Sequence, residues 1–128
     1  MVFKTARMVV AAAMVLGVFA LAPSASAGTA VQEQGSCSNS STWKLKLNPD
    51  GAQIEVQFEV DSNVTGEVWR VRIFQNGTRI FHGRRTTAGP SGSFEVRRLT
   101  DDPAGTDAFR GKAVNLTTDE SCVGRASI

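Results

Sequence analysis

The sequence predicts an all-β fold: two packed antiparallel sheets, immunoglobulin-like or fibronectin-like in architecture, with about seven strands. A small closed β-barrel is the alternative. Three observations carry this. Apolar residues recur at every second position along most of the chain, turn-forming residues interrupt them about every eight to fifteen residues, and no segment keeps a helical period.

The strands follow in order. Trp43, Leu45 and Leu47 alternate with Lys44 and Lys46, and Asn48-Pro49-Asp50-Gly51 ends that run as a turn. Ile54, Val56, Phe58 and Val60 then alternate with Glu55, Gln57 and Glu59, and Asp61 to Gly66 reads as a loop. Trp69, Val71 and Ile73 alternate with Arg70 and Arg72 up to Asn76-Gly77, the preferred pair for a two-residue type I′ hairpin turn. Thr78 to Thr87 is the return strand. Gly89-Pro90-Ser91-Gly92 breaks the chain before Phe94 and Val96, and Asp101 to Gly105 is a further loop. Phe109 to Asn115 and Glu120 to Ile128 complete the set. Trp43, Trp69 and Phe58 are assigned to the core.

Ahead of this domain lies a segment of another kind. Lys4 and Arg7 form a positive head, Met8 to Ala22 is unbroken and apolar, and Ala25-Ser26-Ala27 supplies small residues for a peptidase. Those are the parts of a secretory signal peptide. A helix over the apolar run would reach roughly 22 Å, short of the roughly 30 Å of hydrocarbon in a bilayer. The expected organisation is therefore a signal peptide at 1–27, a flexible leader at 28–36 and a β-sandwich domain at 37–128, with no membrane span after cleavage. Of the 14 lysines and arginines, Lys4 and Arg7 leave with the signal, so 12 bases remain against 12 acids. A generally basic protein is excluded, and only a local patch can attract an anion.

The two cysteines, Cys37 and Cys122, lie near the two ends of the domain. In an exported chain such a pair is expected to form a disulfide. The segments CSNSSTWKLKL, EVDSN, WRVRI, GPSGSFEVRR, AGTDAF and SCVGRASI resemble a recurring type of small secreted bacterial protein with one disulfide. The resemblance spans most of the domain and implies compartment and fold. It implies no activity and no site residues.

Few residues carry the makings of chemistry, and the expectation is a protein that is not an enzyme and takes no cofactor or metal. His82 is the single histidine, and counting from the Asn76-Gly77 turn pairs it with Val71 on the core face. Oxidised cysteines are not nucleophiles. Glu55 and Glu59 share a strand face but lie roughly 13 Å apart, beyond the separation of glycosidase carboxylates; they are expected to be solvated and to pair with Lys44 and Lys46. Asp101, Asp102 and Asp107 bracket a short loop with oxygens suited to Ca²⁺, but without EF-hand spacing, so an ordinary loop is favoured. Asn39, Asn63, Asn76 and Asn115 begin glycosylation sequons that matter only in a glycosylating host.

One surface stands out. The same count pairs Ile73 with Ile80, Phe74 with Arg79 and Arg72 with Phe81, so Arg70, Arg72, Phe74, Arg79 and Phe81 share the outward face. Arg110, Lys112 and Arg125 extend it if the last two strands lie alongside, with Glu55, Glu59 and Glu95 on the other sheet. Two classes of function follow. The first is a secreted, monomeric or weakly self-associating binding module whose Arg/Phe face holds an anionic partner: a cell-wall polymer, an acidic glycan or a protein surface, with nucleic acid a weaker variant. The second is a structural or protein-interaction domain without a ligand, in which Phe74 and Phe81 bury against another chain or a long loop. An enzyme or enzyme inhibitor acting through Asp61 to Gly66 is the least favoured. The expected location is extracellular, including association with the cell wall.

Overall fold

The structure, a computed structural model, describes Gly17 and residues 28–128. The signal peptide expected at 1–27 otherwise lies outside the described residues. Eight strands follow one another: β1 (Val31–Ser36), β2 (Thr42–Asp50), β3 (Gln53–Asp61), β4 (Val68–Gln75), β5 (Thr78–Thr86), β6 (Ser93–Asp101), β7 (Ala108–Asn115) and β8 (Ser121–Ser127). They form two four-stranded sheets, in the orders β1-β2-β3-β6 and β5-β4-β7-β8, with every pairing antiparallel. The fold is a β-sandwich and not a closed barrel. Among the described residues no helix is long and apolar enough to cross a membrane.

The alternation seen in the sequence becomes the core. Leu45, Leu47, Ile54, Val56, Phe58 and Val60 project from one sheet onto Trp69, Val71, Ile73, Phe109 and Ala113 of the other, and all are buried. Large side chains meet glycines across the gap. The Phe58 ring lies against Gly111, where an added Cβ would stand 2.8 Å from it. Trp43 is half-buried and closes the open side of the sandwich between Gly35 of β1 and Gly124 of β8, each too close to its indole to admit a side chain. Next to it the Cys37–Cys122 disulfide, with Cα atoms 4.3 Å apart, ties the β1–β2 connection to β8.

The chain departs from the expected pattern in two places. Residues 28–36, read as a flexible leader, contain β1, which pairs along its whole length with β2. Its sequence, VQEQGS, lacks an apolar alternation because an edge strand is held largely by backbone hydrogen bonds. The second departure is in β5. Asn76 and Gly77 form the expected two-residue turn, with φ of 50° and 81° and Gln75 opposite Thr78. After Arg79, which does face Phe74, the register shifts by one residue: Phe81 pairs with Ile73, His82 with Arg72 and Gly83 with Val71. A bulge of this kind lets two successive residues enter the same side. Ile80 and Phe81 both pack against the core, and His82 is exposed on the outer face. The pairings of Ile73 with Ile80, Val71 with His82 and Arg72 with Phe81 are therefore corrected, and Phe81 leaves the outward set. Burying two adjacent apolar side chains is the physical reason for the shift.

Candidate functional site

The outer face of the β5-β4-β7-β8 sheet is built from three cross-strand rows. The first runs Arg84, Arg70, Val114, Ser121. The second runs His82, Arg72, Lys112, Val123, and the third Arg79, Phe74, Arg110, Arg125. Seven cations and the histidine thus occupy one side of a four-stranded sheet, and no acidic residue takes an outward position on any of its strands. Of the five residues expected there, Arg70, Arg72, Phe74 and Arg79 are brought together. Phe81 is not; its ring lies on the inner side of the edge strand, 5.0 Å below the Arg85 guanidinium. Arg84 on β5 and Arg110 on β7 belong to the face itself.

Three register pairs on this face carry like charge: Arg70 opposite Arg84, Arg72 opposite Lys112, and Arg110 opposite Arg125. Directly opposed like charges on a sheet cost about 0.2–1 kcal/mol each, where opposite charges would stabilise by a similar amount. No acid on the face offsets them. The ion pairs closer than 4.0 Å among the described residues join Arg97 to Glu55 and to Glu95, on the other sheet. Arg110 instead stacks on Phe74, its guanidinium 4.5 Å from the ring centroid. That contact is worth about 0.5–1 kcal/mol at an exposed site and occupies the ring face that a ligand could otherwise use.

The relief of the face follows from side-chain size. Small residues at its margins leave two open depressions. One, of ≈ 520 Å³, is lined by Arg70, Arg72, Arg79, His82, Gly83 and Arg84. The other, of ≈ 320 Å³, lies at the hairpin end between Phe74, Gly77, Ala108, Arg110, Arg125 and Ser127. Six of the seven cations are arginines, whose planar forks match oxyanions in two-point geometry.

The remaining candidates are arranged differently. Glu55 and Glu59 lie on the outer face of the other sheet, with Gln57 and Arg97 against Glu55. Arg97, not a lysine, is the partner; Lys44 lies opposite Glu59 in register and Lys46 opposite Gln57. Asp101, Asp102 and Asp107 do not converge. Asp107 is buried and its Oδ1 accepts from Gln75 Nε2 at 3.3 Å and Asn76 Nδ2 at 2.9 Å. Hydrogen bonding to Asp107, together with desolvation and the Asp107 charge, raises the Asp102 pKa. Among the described residues no group of three or more His, Cys, Asp or Glu side chains is arranged to hold a metal. Two of the four sequons are blocked, since Asn76 Nδ2 is bonded to Asp107 and the buried Asn115 donates to Glu67 at 2.9 Å.

Sequence counting did not find Glu120. It is buried beside the disulfide, and its carboxylate accepts from the Asn39 and Ser41 amides at 2.9 and 3.0 Å and from the Ser41 hydroxyl at 2.5 Å. Burial opposes its charge, but these three donors outweigh it and lower the pKa. Its work is structural, ordering the Cys37–Ser41 loop. Comparison with protein-family models, with curated proteins and with solved structures gave no match.

Proposed function

We propose that the chain is a secreted, non-catalytic binding module that holds an anionic partner through the outer face of its β5-β4-β7-β8 sheet. The observation that carries this reading is the set of like-charged cross-strand pairs. Twelve acids balance the bases of residues 28–128, yet none is placed where it would neutralise this face. Ordinary solubility needs exposed charge of either sign; it does not need three opposed cation pairs. Arg70, Arg72, Arg79 and Arg84 supply the first contacts and Arg110, Lys112 and Arg125 the second. Phe74 supports Arg110 from below. The export-type segment at the N-terminus and the disulfide support an extracellular location, and the two-sheet arrangement supports an immunoglobulin- or fibronectin-like architecture, which by itself specifies no function.

The ligand-free interaction reading loses its motive, because the two rings it relied on are already covered, Phe81 by the sandwich and Phe74 by Arg110. The test is retention of the oxidised domain on insoluble cell-wall material, acidic polysaccharide and DNA, at low and high salt. Wild type is expected to be retained at low salt and released at high salt, because screening shortens the reach of exposed charges. The Arg70→Gln/Arg72→Gln variant is expected to pass through. Equal retention of both proteins, or none of either, would overturn the proposal.

A further inference from the structure

Resting on that reading, we infer that the partner is a linear acidic polysaccharide lying across the strands and engaging both depressions at once. The cations are not spread evenly. Arg70, Arg72, Arg79 and Arg84 surround one depression on β4 and β5, while Arg110 and Arg125 flank the other on β7 and β8. Strands lie about 4.8 Å apart, so the two centres are separated by roughly 10 Å across the strands, with a further offset of about 7 Å along them because the second lies a row nearer the hairpin end. Lys112, opposite Arg72, bridges them. A single sulfate, phosphate or carboxylate reaches one group only. A chain bearing an anion on successive sugars reaches both, and the second contact is then intramolecular.

The same surface argues against the other polyanions. Single-stranded nucleic acid binds with its bases stacked on exposed rings. Here Phe74 lies beneath Arg110, and Phe81 is turned into the sandwich. The outer face of a four-stranded sheet presents no helix or separate two-stranded ribbon to enter a duplex groove. Protein partners are anchored by Trp, Tyr and Arg packed in desolvated, well-filled pockets at the centre of the contact, where lysine is depleted. At this centre stand Arg72 and Lys112, with Val114 and Val123 as the largest aliphatic groups beside them. A hydrophilic chain read through its charged groups, with arginine forks taking planar or tetrahedral oxyanions, needs none of the missing features.

The experiment is a titration of the oxidised domain with sulfated oligosaccharides of increasing length, with inorganic sulfate and with single-stranded DNA of matched charge. Affinity is expected to rise by about a hundredfold once the oligosaccharide exceeds the span between the depressions, in the range linked contacts give. Arg70→Gln/Arg84→Gln, and separately Arg125→Gln, are each expected to return the long chain to the affinity of the short one. Both variants lie on the outer face, and because each removes an opposed cation pair they are checked for a melting transition no lower than that of wild type. Affinity that grows only in proportion to charge, with no step, would overturn the inference while leaving an anion-binding face in place. So would DNA binding as tightly as the matched oligosaccharide. Absence of binding to every anion would overturn the proposed function as well.

Discussion

At the residue scale, position is set by what each side chain must satisfy. Glu120 holds three donors from a loop that carries a disulfide half, and a buried carboxylate so held is worth more ionised than protonated. Its folded pKa lies below the ordinary 4.5. The stability it contributes is therefore fully present above that ordinary value and is lost as pH falls through the lowered one. Glu120→Gln is expected to cost about 1–3 kcal/mol at neutral pH and to flatten the acid limb of a stability-against-pH curve, as read by urea denaturation. Gly111 is the second case. Phe58 lies on its backbone, so Gly111→Ala is expected to lower stability by about 1–3 kcal/mol through overpacking, measured by thermal melting. An unchanged melting temperature would mean that the two sheets can separate at this point without loss.

At the scale of elements, most strands were legible because a half-buried strand has a period of two. β2, β3 and β4 each announce their inward set, and the turn at Asn76-Gly77 is where its two residues require it. β1 was not legible, since VQEQGS has no apolar alternation: Val31 is its single apolar side chain against the core, and Gly35 acts by absence of a side chain beneath Trp43. The parity of β5 was misread because counting outward from a turn assumes no bulge. The cue was present in the adjacent apolar pair Ile80-Phe81 and in Gly83, where a Cβ would come within 3.0 Å of the Phe81 ring. Phe81→Ala is accordingly expected to lower stability by about 2–4 kcal/mol, toward the lower end of a core aromatic truncation because the residue is half-buried, and to leave anion binding of the folded protein unchanged. Loss of binding without loss of stability would return Phe81 to the outer face. The candidate site was legible strand by strand. That β7 lies beside β4, which makes one face of the pieces, depends on long-range pairing that periodicity does not encode.

At the scale of the whole molecule, two asymmetries define the protein. The first is topological: the β1–β2 connection and β8 meet at one side of the sandwich, where Trp43 and the Cys37–Cys122 bond close it. In the chain-entropy model a bond between residues 85 apart stabilises by about 4–5 kcal/mol. For a domain of this size that is a large share of the total. Reduction is expected to lower the melting temperature sharply, by calorimetry with and without a thiol reductant. The second asymmetry is electrostatic: in a formally balanced domain the outer face of one sheet carries seven cations and no acid, while Glu55, Glu59 and Glu95 share the other sheet with Lys44, Lys46 and Arg97. If the basic face exists for binding, it is held against its own repulsion. The most direct measurement is made on Arg84→Glu, which places an acid opposite Arg70. Thermal stability and retention on an acidic polysaccharide are read together at low salt. The variant is expected to melt higher than wild type and to be no longer retained. A variant that melts no higher and is retained as before would contradict the binding role of the basic face.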